Sequence, residues 1–71
     1  MKYLIGYDDR RCVRRYIDHV EQGYLSYGKT ISTAVVFTLT EAEEHIEGQD
    51  RKDKIYPITK RALFEARLKG I

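Results

Sequence analysis

The side chains that could act as nucleophiles, bases or metal ligands are few in this chain of 71 residues. Cys12 is its only cysteine, His19 and His45 are its only histidines, and neither histidine has a serine or cysteine at the spacing of a catalytic motif. The paired Cys/His spacing of a zinc site is also missing. We interpret His45, which follows Glu44, as a solvated helix residue. The sequence therefore predicts no catalytic residue, no metal site and no cofactor, and we expect the protein not to be an enzyme.

Cys12 stands in the segment RRCVRR, between two pairs of arginines. Positive charge nearby favours the thiolate form of a cysteine and raises its reactivity. Strand alternation instead puts Cys12 opposite Val13, as a small apolar side chain that faces the core, and this is the interpretation that we adopt. It predicts slow labelling of Cys12 by a thiol reagent in the folded protein. A single cysteine also excludes an internal disulfide and suits a reducing compartment.

Arginines stand among tyrosines in the first part of the chain, a mixture that suits two kinds of partner. Both residue types are enriched at protein–protein hot spots, and together they also contact phosphates and stack on bases. The alternative is packing within the protein, in which Arg14 and Arg15 cover tyrosine rings. Farther along, Lys60 and Arg61 oppose the dipole of a predicted helix, which an acidic helix nearby or an anionic partner would explain. The predicted binding residues are Tyr7, Arg10, Arg11, Arg14, Arg15, Tyr16, Lys60 and Arg61.

Glutamates form a second charged cluster in the middle of the chain. Their spacing lacks the alternating acids and the central glycine of a calcium loop, so we interpret them as the solvated face of a helix. The functional alternative is an acidic surface that imitates phosphates toward a basic partner. The net charge of +2 is small for a nucleic-acid-binding protein. This acidic surface consists of Glu41, Glu43, Glu44 and Glu47.

Alternating apolar residues predict strands in the first half of the chain. Residues 2–7 and 11–17 form a predicted β-hairpin, with turn chemistry at Asp8 and Asp9. Its register stays open, because a loop over 8–10 pairs Ile5 with Val13, whereas a loop over 8–9 pairs Leu4 with Val13. Beyond the hairpin, a loop over 18–30 is interrupted by a short strand at 24–27, and the β-branched run at 32–38 predicts another strand.

Helix-capping signals dominate the second half. Thr38 and Thr40 each precede a glutamate by three residues, so either fits a capping box for a short helix that ends at Gly48. A polar loop over 49–53 leads to the predicted strand KIYPI, in which Pro57 requires an edge position or a strand end.

A second helix follows over 60–69, capped by Thr59 and closed by Gly70. Its apolar stripe should pack against the sheet, and its members are Leu63, Phe64, Ala66 and Leu68. The sequence thus predicts one α+β domain over residues 1–71: a small antiparallel sheet of three to four strands, beginning with an N-terminal hairpin, with two short helices packed on it.

The order of these features resembles short proteins encoded by phages and prophages of Gram-positive bacteria. The resemblance covers residues 1–48, where a tyrosine-rich hairpin precedes the segment ISTAVVFTLTEAEEHI. Its motif positions are Ile31, Ala34, Phe37, Glu41, Ala42, Glu43 and Ile46. The resemblance implies a factor that binds and blocks a host protein, such as a restriction or CRISPR nuclease or a host polymerase.

We therefore expect a non-enzymatic protein-binding module, an inhibitor or modulator of a host protein such as a defence nuclease, encoded by a phage or mobile element. The alternative is a small nucleic-acid-binding protein that uses the Arg/Tyr hairpin with Lys60 and Arg61. A third reading is an assembly piece that functions as an oligomer, and a homodimer is an open possibility for so small a chain. No segment reads as a signal peptide or a membrane span, so we expect the cytoplasm, that of the host cell for a phage protein, and no membrane partner.

Overall fold

The computed structural model describes residues 1–22, 24–48 and 53–71. Its strands and helices are β1 (Lys2–Asp8), β2 (Arg14–Glu21), β3 (Tyr24–Gly28), α1 (Leu39–Glu47), β4 (Lys54–Ile58) and α2 (Lys60–Lys69). The strands form one sheet in the order β3-β2-β1-β4, and every neighbouring pair is antiparallel. The predicted α+β class is therefore confirmed, as is the edge position of Pro57 on β4.

The N-terminal hairpin is confirmed, but both predicted registers are wrong. The second strand begins at Arg14, not at residue 11, and Asp8 pairs with Arg14 across a loop formed by Asp9–Val13. The strand then continues to Glu21, through residues predicted as loop, with a register shift between Ile17 and His19 that accommodates one extra residue. The short strand predicted at 24–27 is confirmed as β3.

β1 and β2 separate beyond the hairpin, and another part of the chain bonds to both of them. Their ladder stops at Tyr16. Farther on, the Tyr3 N–H donates to the Phe37 carbonyl at 3.1 Å and the Phe37 N–H donates back to Tyr3 at 2.8 Å. The Val35 N–H donates to the Ile17 carbonyl at 2.8 Å. These bonds satisfy backbone groups that the diverging strands leave unpaired.

The strand predicted at 32–38 is wrong, because this segment pairs with two strands in turn and forms a ladder with neither. Only Phe37 makes a bridge, with Tyr3. Before it, the chain turns, with the Ala34 N–H bonded to the Ile31 carbonyl at 3.1 Å. The β-branched residues of this segment therefore form an extended, hydrogen-bonded connection and not a regular strand.

The sheet is buried on both faces. Leu4 and Ile5 point to opposite sides because successive strand residues alternate. Ile5 packs with Ile17 and with Ala42 of α1. Leu4 lies with Tyr16 and Ala34 on the other face, where further apolar side chains surround them: Ile31, Val36, Tyr56 and Ile58.

Both predicted helices are present, and their caps follow the predicted chemistry. Thr38, not Thr40, is the first cap: its hydroxyl accepts the Glu41 N–H at 3.2 Å, and the Glu41 carboxylate accepts the Thr38 N–H at 2.9 Å. These hydrogen bonds hold the pKa of Glu41 below its usual value. Thr59 caps α2, and Gly70 closes it in the left-handed conformation.

Two predictions for the last third of the chain need correction. Leu63 and Ala66 of α2 are buried, but Phe64 and Leu68 are 65% and 74% exposed, so only half of the predicted stripe faces the protein. The polar loop predicted over 49–53 lies outside the described residues apart from Asp53. That residue is buried, and its carboxylate accepts a hydrogen bond of 2.6 Å from the hydroxyl of Tyr27.

Gly6 gives a direct test of the strand pairing. A Cβ at this position would lie 2.1 Å from the Arg15 carbonyl oxygen, whereas one at Gly48 would meet nothing closer than 3.9 Å. We expect Gly6→Ala to lower the free energy of unfolding by about 2 kcal/mol or more, because backbone cannot move aside cheaply. Gly48→Ala is the matched control and should change it by less than about 0.5 kcal/mol in urea unfolding. Equal effects of the two substitutions would contradict the register.

Candidate functional site

The loop Asp9–Val13, here called the hairpin tip, is organised by a single carboxylate. Asp9 Oδ1 accepts the backbone N–H groups of Arg11 and Val13 at 2.9 and 3.0 Å, and Oδ2 accepts the Arg15 Nε–H at 3.0 Å. The Asp9 N–H donates to the Val13 carbonyl at 3.0 Å, and the Cys12 N–H donates to the Asp9 carbonyl at 2.9 Å. Such side-chain bonds to nearby backbone fix a turn in one conformation.

These bonds also explain why the hairpin register could not be predicted. The predicted loops contain two or three residues. In the structure the Asp9 side chain accepts a hydrogen bond from the Val13 N–H, which extends the loop to Val13. The N–H of Val13 is the largest cause that holds the pKa of Asp9 below its usual value, and Arg15 lowers it further against the opposing effect of burial. The sequence indicates a turn at Asp8–Asp9, but it does not reveal the hydrogen bond between the Asp9 side chain and the Val13 N–H.

Cys12 is not a core residue, which corrects its predicted place in a strand. It is exposed, and its φ of 60° lies in the left-handed region that favours glycine. A residue with a Cβ pays about 1 kcal/mol for this conformation. The hydrogen bonds of Asp9 hold the strained backbone in place.

The four arginines of the hairpin divide into two pairs. Arg14 contacts Asp8 at 3.2 Å, and its guanidinium lies 4.1 Å from the centre of the Tyr56 ring. Arg15 contacts Asp9 at 3.0 Å. The hydrogen bond that Arg14 donates to Asp8 raises the pKa of Arg14, and burial raises the pKa of Tyr56. The interpretation of arginine packing within the protein is thus confirmed for Arg14, with Tyr56 in place of a hairpin tyrosine.

Arg10 and Arg11 behave differently from that pair. Both are exposed, and within residues 1–22, 24–48 and 53–71 neither guanidinium has a hydrogen bond or an ion pair. The predicted basic cluster of four arginines therefore becomes two available cations at the tip. Lys54 is exposed and pairs with Gly6 of β1, so it is on the side of the sheet nearer the tip. Sequence analysis missed Lys54, because only strand pairing brings it there.

The tyrosines assigned to the binding surface serve packing. Tyr16 is 9% exposed and lies in the core with its ring 6.0 Å from that of Tyr56, which corrects its assignment as a contact residue. Tyr7 is half-buried, and the edge of its ring meets Tyr27 at 5.1 Å. Burial of Tyr16 and the packing of Tyr7 against Tyr27 therefore do not favour stacking of a base on either ring.

Lys60 and Arg61 do not join the arginines of the tip. α2 begins two residues after Ile58, which pairs with Lys2 at the start of β1, whereas the tip follows the end of β1 at Asp8. At about 3.3 Å per strand residue, the two basic sets lie roughly 20 Å apart along the sheet. Arg61 also forms an i,i+4 ion pair with Glu65 at 3.3 Å. This pair offsets the unfavourable interaction of the Arg61 charge with the helix dipole.

The predicted acidic surface is exposed on α1, with one residue already engaged. Glu43, Glu44 and Glu47 have no ion pair among the described residues, whereas the Glu41 carboxylate is bound in the helix cap. His45 is half-buried, with its ring 6.1 Å from Phe37, so its interpretation as a solvated residue is corrected.

Among the residues that the structure describes, no three His, Cys, Asp or Glu side chains gather closely enough to hold a metal ion. In the same part of the chain, no helix has the length and apolar character needed to cross a membrane.

Comparison with protein-family models, with curated protein sequences and with solved structures finds no match to this chain. Its function must therefore be argued from its own residues, above all from the hairpin tip.

The exposure of Cys12 reverses the labelling behaviour that its sequence context predicted. We expect native protein to consume one equivalent of Ellman's reagent without denaturant, because the thiol is open to solvent in the tip. The rate should be within about tenfold of that in urea-unfolded protein. Labelling that occurs only after unfolding would place Cys12 back in the core.

The lowered pKa of Asp9 predicts that the tip loses stabilising hydrogen bonds in acid. Its stabilising effect is present above the ordinary carboxyl pKa of about 4 and is lost as pH falls through the lowered folded value. We expect the amide NMR signals of Arg11 and Val13 to stay constant from neutral pH to about 4 and to shift below it. Asp9→Asn should abolish that titration, while the acid response of Glu41 in the α1 cap persists as an internal control. An unchanged titration in the variant would refute the assignment.

Proposed function

We propose that this protein is a non-enzymatic protein-binding module whose contact surface is the hairpin tip, where Arg10 and Arg11 meet an acidic patch of another protein. The observation that carries the proposal is the contrast within RRCVRR. Arg14 and Arg15 are neutralised by Asp8 and Asp9, whereas the two arginines at the tip have no partner in the described part of the chain.

The order of the tip supports a role in recognition. Binding normally loses about 0.5–1.5 kcal/mol for each flexible side chain that becomes immobilised, and more when a loop must also be ordered. Here Asp9 has fixed the backbone from Arg11 to Val13 before any partner arrives. Arginine adds the planar donor geometry that suits carboxylates, and arginine is among the residues most enriched at hot spots.

Strain at Cys12 supports the same proposal. A glycine at this position would adopt the left-handed conformation without steric strain. Folding stability alone therefore gives no reason for a cysteine. Strained backbone positions concentrate at sites of function. The resemblance over residues 1–48 suggests the biological setting: a phage or mobile element whose product modulates or inhibits a host protein, such as a defence nuclease.

The single cysteine allows the contact to be located directly. We expect a benzophenone maleimide attached to Cys12 to cross-link one protein from host lysate on irradiation, and to do so after nuclease treatment. Arg10→Glu with Arg11→Glu should reduce the cross-link by at least about tenfold, because it reverses both charges that face the partner. Mass spectrometry of the cross-linked peptides then identifies the partner and its contact surface.

Two controls make the result specific. Lys2→Glu with Lys69→Glu produces the same change in net charge and should leave the cross-link intact, because Lys2 lies at the far end of β1 and Lys69 lies in α2. The same label on Thr40→Cys in a Cys12→Ser background reports on the acidic helix α1 and should give no such product. A cross-link from position 40 in place of position 12 would transfer the contact to the acidic surface, and its absence from both positions would refute the proposal.

A nucleic-acid partner is the second candidate, favoured by the presence of Lys54 on the tip side of the sheet, beside Gly6. Three cations could contact phosphates there, although Tyr16 is not available for stacking. This function predicts a mobility shift with single-stranded or duplex DNA that weakens steeply with salt and disappears in Arg10→Glu with Arg11→Glu. Recovery of partners that depends on intact DNA or RNA would favour it over a protein contact.

A further inference from the structure

α2 presents a row of exposed apolar side chains that the sheet does not use. Phe64 is 65% exposed, Leu68 is 74% exposed and Ile71 is 58% exposed. Phe64 and Leu68 are four residues apart on one face of α2, the spacing of anchors by which a helix enters an apolar groove, and Ile71 follows the end of the helix. Gly70 turns the chain at the end of the helix, and the Ile71 N–H donates to the Ala66 carbonyl at 3.0 Å, which holds Ile71 against the last turn. We call these three residues the apolar ridge.

The ridge faces away from the protein because the opposite side of α2 is anchored. Leu63 and Ala66 are 6% and 4% exposed. At about 100° per residue, their shared direction is nearly opposite to that of Leu68. The ridge is therefore exposed because burial of Leu63 and Ala66 turns the opposite face of α2 outward.

Positive charges flank the ridge on both sides. The same helical geometry places Lys60 and Arg67 on one side of Phe64 and Arg61 on the other. Lys60 and Arg67 have no ion pair among the residues that the structure describes, whereas Arg61 is paired with Glu65. An occupant must therefore offer apolar surface in the middle and negative charge at its margins.

Other occupants fit these features less well. Two α2 helices packed on each other through this ridge would bring Lys60 and Arg67 of both copies together, which like-charge repulsion opposes. The acidic helix α1 of a second copy supplies charge but offers only Leu39 as a large exposed apolar residue. A lipid surface calls for a broad apolar face, whereas this ridge is one side chain wide between charged residues.

We infer that the apolar ridge docks into an apolar groove with an acidic rim on a partner protein. Phe64 and Leu68 fill the groove, and Lys60 and Arg67 meet carboxylates on its rim. The inference rests on the proposed function in assigning a protein partner, but it uses residues of α2 and the position after it, not residues of the hairpin tip, so each surface can be tested without the other.

The first test separates docking from a structural role. Phe64→Ser with Leu68→Ser should lower the melting temperature by no more than about 5 °C, because both side chains are mostly exposed and serine is only a slightly weaker helix former. Leu63→Ala, on the buried side of the same helix, should lower it by roughly 10 °C or more. A large loss of stability in the ridge variant would show that the ridge packs within the protein and would overturn the inference.

The second test identifies the occupant. With p-benzoylphenylalanine in place of Phe64 in the full chain, irradiation in host lysate should cross-link a protein at peptides that line an apolar groove with acidic residues at its rim. With that protein purified, Leu68→Ser and Lys60→Glu with Arg67→Glu should each weaken binding by at least about tenfold. Lys29→Glu with Lys69→Glu is the charge-matched control and should have little effect.

Three results would overturn the inference. One is the absence of a cross-linked protein. The second is sedimentation with vesicles of equal parts phosphatidylcholine and phosphatidylglycerol that Leu68→Ser abolishes, which would assign the ridge to lipid. The third is concentration-dependent self-association that the same substitution abolishes, which would assign it to a second copy. Loss of cross-linking at Cys12 with retention at position 64 would refute the tip alone, and the converse would refute the ridge alone.

Discussion

The close approach of Gly6 to the backbone of Arg15 and Tyr16 is the constraint on which the rest of the structure depends. A Cβ at Gly6 would meet Arg15 O at 2.1 Å, so only glycine permits the central strands to pair in this register. On one side of that contact, Asp8 is placed opposite Arg14 and Asp9 is left to organise the tip. On the other side the strands diverge, and the residues from Val35 to Phe37 bond to both. One residue without a side chain thus connects the core to the exposed loop.

Charge in the hairpin is arranged by the same register. Because Arg14 and Arg15 lie opposite or close to Asp8 and Asp9, their charges are used within the protein. Arg10 and Arg11 fall in the loop, and among the described residues their guanidinium groups bond to neither carboxylate. An exposed ion pair contributes little to stability, generally less than about 1 kcal/mol. The larger consequence of these ion pairs concerns binding. They neutralise Arg14 and Arg15, so that Arg10 and Arg11 are the hairpin arginines left to contact a partner.

Local chemistry predicted the helices well and the loops poorly. Thr38 with Glu41, and Thr59 with Gly70, act within one turn of the chain, so their roles follow from spacing alone. The tip depended on a side-chain bond from Asp9 to Val13, and the segment at 32–38 depended on strands that diverge, neither of which a local pattern contains.

The candidate surfaces were predicted only in part, for the same reason. Arg10 and Arg11 were named among the binding residues, but which arginines remain available is decided by their pairing with Asp8 and Asp9. The apolar stripe of α2 was predicted to be buried as a whole, whereas the way that Leu63 and Ala66 seat the helix turns Phe64 and Leu68 outward. Such outcomes depend on the orientation of a complete element, which composition and periodicity do not specify.

The proposed function requires a hairpin tip that is ordered in the free protein, ready to present Arg10 and Arg11. Backbone ¹⁵N relaxation of the unbound protein measures this most directly, at the amides of Arg11, Cys12 and Val13. Order parameters of about 0.8 or above, close to those of rigid backbone, are the predicted result. Values below about 0.6 at these amides would show a flexible loop, which is incompatible with a tip held by the hydrogen bonds of Asp9.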